Sequence, residues 1–451
     1  MQPLSAKVSN GRGVFVAVVI LALAIGWLVR HLYAIVYPEF LSTGSLALIW
    51  ALTFSSIAWT ALLAVLERPK KASRLQQLAL DKLSVVVLIP AYNEEPALLQ
   101  ACIKSVLDQT RPVQHIEVVD DGSTVSYKTV TDWLKDLKGY KVGLTWTRTE
   151  NAGKRHAQTI GIRHQPKADI YLTVDSDTIL DSKAVAEGLQ PMADPKVKSV
   201  AGMCLPLNVH DNVLTRFSGL SETIYQLVDR SAQSTMNSVT VNSGILAFYR
   251  GDVIRDNLGS YNTETFLGGE VKFSDDSLMT LYALTAGKAV QQTTSIAFSA
   301  VPNKYSHHIR RYMRWYRGSF IRTIWRFKYL RLTSYIYWLH LWRWVSFGFT
   351  TYIAFFLVSS GMLTRPDVYP YLILITVAIS YVQSLRYFMV KRSDETFAMQ
   401  LDTFLMAPVA AAWSLTVLRV FKLYSYATVA NNGWGTRSKV EVSVIKSTTN
   451  M

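Results

Sequence analysis

From Leu41 to Leu66 the chain carries no charged residue, and nothing else in it restricts the fold as strongly. Such a run is close to the ~20 residues that cross a bilayer core. An earlier run, Val14 to Val29, is wholly apolar or small, breaks at Arg30 and His31, and resumes from Leu32 to Tyr37. Together the two predict a membrane hairpin within residues 1–80, with spans at about 14–37 and 41–66. A cleavable leader would carry one such run, not two. Lys7 and Arg12 precede the hairpin, Arg68, Lys70, Lys71 and Arg74 follow it, and the connection holds only Glu39. Positive charge on both flanks predicts that both ends face the cytoplasm, and that the domain between the membrane regions does too.

Past residue 328, Trp344 to Leu363 and Val368 to Ser384 again lack charge, with Arg343 and Arg386 just beyond them. These predict a membrane region over 333–430, with spans at about 344–363 and 368–390. Asp402, Pro408 and Arg419 interrupt 397–429, which reads as a broken or re-entrant segment that leaves the 431–451 tail inside. The net charge of +15, set beside 12 Trp and 23 Tyr, suits a lipid bilayer surface or an anionic substrate. No unbroken basic tract or base-reading module is present, so nucleic acid is not an expected partner. Two cysteines, Cys102 and Cys204, exclude a disulfide framework and a cysteine-rich metal site.

Residues 81–305 change rhythm. Ser84 to Pro90 is a buried-strand run, Glu95 to Gln109 has helical spacing, and His115 to Asp120 is the next strand. This α/β order predicts a parallel sheet with its site at the carboxyl ends of the strands. The first strand ends in Tyr92-Asn93-Glu94-Glu95 and the second in Asp120-Asp121-Gly122-Ser123. Acidic and amide groups so placed accept hydrogen bonds from a nucleoside, although Asp-Asp-Gly-Ser taken alone is a common turn. A third strand ends in Val174-Asp175-Ser176-Asp177, two carboxylates able to share a hard cation that neutralises a diphosphate. Upstream, Asn151-Ala-Gly-Lys154-Arg155 adds cations that can face phosphates, or be a solvated basic turn. Ser274-Asp275-Asp276-Ser277 precedes an apolar helix; one carboxylate can act as general base, or the pair can simply cap the helix. Residues 306–332, with Arg310, Arg311, Arg314, Trp315 and Arg317, read as amphipathic interface helices.

The order of these sites resembles the processive family-two inverting glycosyltransferases, which include cellulose, chitin and hyaluronan synthases, over about residues 84 to 437. Asn151 to Arg155, Val174 to Thr178, Asn242 to Arg250 and Gly433-Trp-Gly-Thr-Arg437 look like segments of the bacterial class of hyaluronan synthases. The resemblance implies a GT-A-like nucleotide-sugar transferase domain joined to an α-helical transmembrane region. It implies a multi-pass plasma-membrane enzyme with Mg2+ or Mn2+ as cofactor. Its partners would be UDP-sugar donors, a growing polysaccharide and the bilayer, for a monomer or small homo-oligomer.

Carried onto this chain, the resemblance gives donor contacts at Tyr92, Glu94, Asp120, Asp121, Lys154, Asp175 and Arg314, and the metal at Asp177. Asp276 becomes the general base with Asp275 beside it. Trp315, Ser243 and Gly244 line the acceptor site, and Trp434, Thr436 and Arg437 gate it. Two positions depart from the pattern: Arg311 stands in the family's Gln slot and Ser274 replaces the Gly before the acid pair. The expected product is hyaluronan from UDP-GlcNAc and UDP-GlcA, exported outward. The alternatives are a chitin-type or other capsule polymer, a non-processive transferase acting on a lipid carrier, and a non-catalytic transporter or scaffold.

Overall fold

The computed structural model describes residues 4–9, 26–27, 45–359, 361, 366 and 369–430. Its centre is an eight-stranded sheet: β1 (Val85–Ala91), β2 (His115–Asp120), β3 (Gly143–Arg148), β4 (Ile170–Thr173), β5 (Thr178–Leu180), β6 (Val197–Pro206), β7 (Ala247–Arg250) and β8 (Lys288–Ser299). In space the order is β3-β2-β1-β4-β7-β6-β8-β5. The expectation of a parallel sheet holds for β3-β2-β1-β4 and for β6 beside β8. It fails at β7, which runs antiparallel between β4 and β6, and at β5, antiparallel to β8. Only four residues separate β4 from β5, too few for a return crossover, and β5 runs reversed on the far edge of the sheet beside β8.

β1 shows why both faces are covered. Val85, Val87 and Ile89 enter one buried cluster with Leu99, Cys102, Ile103 and Val106 of α2 (Pro96–Leu107). Val86 and Leu88 enter the other, with Ile162 of α3 (Lys154–His164) and Leu278 of α5 (Asp275–Ala286). α4 (Val213–Tyr225) precedes α5 in the chain. Alternation along the strand therefore feeds two cores, and a run of apolar residues follows. Gly161 brings α3 in close, since a Cβ there would stand 2.8 Å from Leu88 Cδ2.

Helices pack below this domain. α1 (Ser45–Leu66) comes before it; α6 (Tyr305–Tyr329), α7 (Tyr335–Ser359) and α8 (Tyr369–Ser384) come after. The expected span at 14–37 lies outside the described residues, Gly26 and Trp27 apart. α8 ends short of the expected boundary at 390, because a 3-10 turn over Leu385–Met389 leads into Val390–Arg392, which pairs antiparallel with Ala6–Val8. Ser9 N also donates to Met389 O at 2.7 Å. Within 397–429 the chain forms α9 (Phe397–Leu405), α10 (Ala407–Leu415) and α11 (Val417–Ala427), with Pro408 in the first turn of α10. Among the described residues, Phe397–Ala427 is the one helical run long and apolar enough to cross a membrane. Gln400 Nε2 donates to Val390 O at 2.6 Å, and Arg317 Nη2 to Thr428 Oγ1 at 2.9 Å, so both ends of that run are tied down.

Candidate active site

The strand ends converge. β2 finishes in Asp120, and the next residue, Asp121, spends both oxygens on backbone amides, accepting from Ala152 N at 2.9 Å and Gly153 N at 2.8 Å. Gly122, at φ +73°, lets Asn151 approach; a Cβ there would meet Asn151 N at 2.6 Å. Asp121 is thus the cradle of the Asn151–Gly153 turn that launches α3, and burial raises its carboxyl above the usual range despite the two amides. Asp120 accepts from Ser123 N at 2.9 Å and lies 3.5 Å from Arg148 Nη1. After β1, Asn93 sits in the left-handed region, and its Oδ1 accepts from Thr124 N and Thr124 Oγ1 at 2.7 and 2.9 Å. Glu94 N donates to Tyr127 Oη at 2.7 Å, and Glu94 Oε2 accepts from Ser176 Oγ at 3.3 Å, joining the ends of β1 and β4.

Lys154 is the centre of charge. Its Nζ donates to Asp175 Oδ1 at 2.6 Å and lies 3.2 Å from Asp275 Oδ2. Burial alone would lower its ammonium, but Asp175 and Asp275 more than offset that and raise it, so it stays a cation. Burial would raise Asp275, yet Lys154 and Arg155 hold its carboxyl below the usual range. Asp276 goes the other way: burial, then the charge of Asp275, push it up to about 6. Two neighbouring carboxylates with opposed shifts are the pattern of an acid pair with divided roles. Asp276 Oδ1 accepts from Ser277 N at 2.6 Å, and its carbonyl from Thr280 Oγ1 at 2.7 Å, fixing it in the first turn of α5.

Gly244 closes the cluster, since a Cβ there would lie 2.9 Å from Lys154 Nζ and 3.5 Å from Asp175 Oδ1. At Gly244 the cluster is therefore bordered by backbone, with no side chain between. Ser243 is half-buried beside it. Asp177 Oδ1 accepts from Ser299 Oγ at 3.3 Å and Thr178 Oγ1 at 3.4 Å, long bonds for hydroxyl donors. Asp175 and Asp177 offer the hard oxygens that Mg2+ or Mn2+ takes. No group of three or more His, Cys, Asp or Glu side chains placed to hold a metal ion occurs among the described residues.

α6 brings up the remaining elements. Gly318 packs on Ser274 and Phe273, directly ahead of the acid pair. One turn earlier, Arg314 is half-buried and Trp315 is 42% exposed, with the Arg311 guanidinium 4.3 Å from its ring centroid. Arg311 Nη2 also donates to Glu222 Oε2 at 2.6 Å. The cation in the Gln slot is thus paired with a carboxylate of α4 and backs the Trp315 ring. A small cleft is lined by Glu222, Arg311, Ile245 and Ser299. Trp434, Thr436 and Arg437 lie outside the described residues. Sequence reading placed Asn93 among the groups that could meet a nucleoside and missed Ser299, Glu222 and Gly318 as site-shaping residues. Only Asn93 carried a local signal, an Asn directly after a strand, where left-handed backbone is common.

Comparison with known proteins adds relatives to this geometry. The profile of Glycosyl transferase family 2 matches residues 86–258. Hyaluronan synthase of Streptococcus pyogenes is 31% identical over 363 residues, spanning 79% of this chain and 84% of that protein. An N-acetylglucosaminyltransferase of Azorhizobium caulinodans is 28% identical over 367 residues, spanning 78% of this chain and 87% of that protein. Among solved structures, a mannosyltransferase of Pyrobaculum calidifontis in complex with GDP-Man and Mn2+ aligns with a TM-score of 0.48 at 18% identity, covering 87% of this chain and 99% of that one.

Proposed function

Because the chain belongs to glycosyl transferase family 2 and is a glycosyltransferase, we propose that it is a processive, inverting enzyme that builds hyaluronan from UDP-GlcNAc and UDP-GlcA and passes it across the plasma membrane. The observation that carries the reading is the Lys154–Asp175–Asp275 cluster with Asp276 beside it, one carboxyl held down and its neighbour pushed up to about 6.

In this reading Asp276 accepts the proton of the acceptor hydroxyl. The hydroxyl oxygen bonds to the anomeric carbon as the bond to the diphosphate breaks, and UDP carries away the electron pair. Attack opposite the leaving group turns an α-linked donor into a β-linked product, with no covalent enzyme intermediate. A general base near neutral pKa suits this task. Asp275, kept anionic by Lys154 and Arg155, raises the proton affinity of Asp276. Lys154 and Arg314 offset charge on the diphosphate. Asp175 contacts the donor, and Asp177 would hold Mg2+ or Mn2+, which supplies Lewis-acid neutralisation of that diphosphate. Asp120, Tyr92 and Glu94 border the uridine. Trp315 stacks on the acceptor sugar, with Ser243 and Gly244 alongside. Trp434, Thr436 and Arg437 gate the site. The domain works from the cytoplasmic side, with α1, α7 and α8 and the 397–429 segment in the bilayer.

A second reading, a chitin-type polymer of GlcNAc alone, is favoured by the N-acetylglucosaminyltransferase relative. Purified protein in lipid, given Mn2+ and UDP-sugars singly and in pairs, separates the two. Polymer and UDP release only with the UDP-GlcNAc and UDP-GlcA pair support hyaluronan. Polymer from UDP-GlcNAc alone selects the second reading, and no UDP release from any donor defeats both.

A further inference from the structure

Below the acid pair lies a buried ionic knot that the reaction as described leaves unused. Glu264 sits at its centre, 9% exposed. Its Oε2 accepts from Arg155 Nη2 at 2.7 Å and from Arg322 Nη2 at 3.1 Å. Its Oε1 accepts from Arg322 Nη1 at 2.6 Å and from Trp325 Nε1 at 2.8 Å. Arg155 follows Lys154 in α3, whereas Arg322 and Trp325 stand on α6, beyond Arg314 and Trp315. Both arginines then reach the acid pair's own turn. Arg155 Nη2 donates to Phe273 O at 2.6 Å, and Arg322 Nε to Ser277 Oγ at 3.2 Å. Phe273 and Ser277 lie on either side of Asp275 and Asp276.

We propose that Glu264 is a positioning residue for sugar transfer, tying the donor-side helix α3 to helix α6 and, through their arginines, fixing the turn that presents Asp275 and Asp276. The proposal rests on the reading of Asp276 as the base. A carboxylate has about four lone-pair sites, and these four donors occupy them. Burial would raise the Glu264 carboxyl, but Arg322 and Arg155 hold it below the usual range, so the knot is ionised at neutral pH. An amide in its place would turn an NH2 group toward guanidinium donors, and one arginine fork would have to leave. Either arginine takes one support of the acid turn with it.

A purely structural role is the competing account, because leaving a buried cation unpaired destabilises any fold. The full chain in lipid distinguishes the two through Glu264→Gln and the double variant Glu264→Gln/Arg322→Met. Four quantities are read: kcat, donor KM, Tm and amide exchange over residues 275–280. A displaced turn should cost Glu264→Gln on the order of 10²-fold in kcat, with donor KM little changed and faster exchange at 275–280. Glu264→Gln leaves both Arg155 and Arg322 without a carboxylate; the double variant removes one of the two, returns the knot to its original net charge and should regain Tm, yet kcat stays low because the hold on Ser277 is gone. If Glu264→Gln does not fold, Glu264→Asp keeps the charge and shortens the reach, and the same loss of kcat is expected. Recovery of kcat together with Tm in the double variant, wild-type kcat in Glu264→Asp, or unchanged exchange at 275–280 overturns the proposal. Exchange reports even on a chain that releases no UDP, so failure of the proposed function and failure of this inference remain separable.

Discussion

Ser274 and Gly318 are packed so tightly that a Cβ on the glycine would stand 2.7 Å from the serine Oγ. Ser274 holds φ 62° and ψ 38°, the left-handed region, immediately before Asp275. That explains the family's glycine at this position: the turn into α5 asks for it, and serine meets the demand with strain of about 1–2 kcal/mol. Ser274→Gly is expected to keep transfer activity and gain about 0.5–1 kcal/mol of stability, read by thermal unfolding. Gly318→Ala should do the reverse on both counts. A Ser274→Gly variant that unfolds earlier than wild type would disprove the strain argument.

Asp276→Asn separates activity from stability. Loss of a general base costs on the order of 10²–10⁴-fold in transfer. UDP binding, read calorimetrically, should survive. The sign for stability is opposite. A folded pKa of about 6 against an ordinary value of 3.8 means that the native state prefers the protonated acid. Its contribution is therefore full below about 3.8 and is lost as pH rises through about 6. Asn removes that loss, so the variant should have the higher Tm at pH 7–8 and no advantage near pH 4. Wild-type transfer rates in Asp276→Asn would strip the residue of its role.

Gly244→Ala tests the close approach at the cluster. The new methyl meets the end of a flexible lysine, so the fold gives way at the Lys154 ammonium before it gives way in the backbone. Displacement there should cost on the order of 10²-fold in kcat, with a Tm near wild type. A large fall in Tm with kcat preserved would place the glycine in the scaffold instead.

Ser299→Ala tests the support of Asp177. Its hydroxyl bond to Asp177 Oδ1, though long, orients a carboxylate assigned to the cation. Removing such a partner typically weakens metal affinity by about 10–100-fold. The half-saturating Mn2+ concentration for UDP release should rise accordingly, while kcat at saturating Mn2+ stays close to wild type. An unchanged Mn2+ titration would remove Ser299 from the site.

What the sequence made legible follows from how far apart interacting residues lie along the chain. β1, β2 and β4 with their acidic ends are local patterns, since each apolar run and the Glu or Asp that follows it sit within a few residues of one another, whereas β3, with no such ending, gave no signal. The insertion of β7 between β4 and β6 is not local: Tyr171 pairs with Tyr249 across the intervening loops. Asp121 carried the right charge for a ligand contact, but its partners, the amides of Ala152 and Gly153, are backbone groups with no side-chain signature. Glu264 was invisible for a related reason. Its arginines come from 109 residues before it and 58 after, and no spacing rule relates the three.

The small pairing of Ala6–Val8 with Val390–Arg392 staples two distant parts of the chain to each other. The path that leaves at Ser9 is back on the same domain by Lys70, whose amide donates to Gln292 Oε1 at 2.9 Å. The path that leaves at Leu330, packed in the core, is back at Val390. The path from Gln400 is back at Thr428, held by Arg317. Each excursion has both of its described feet on one body, so a pull on either foot is borne by the same sheet-and-helix frame.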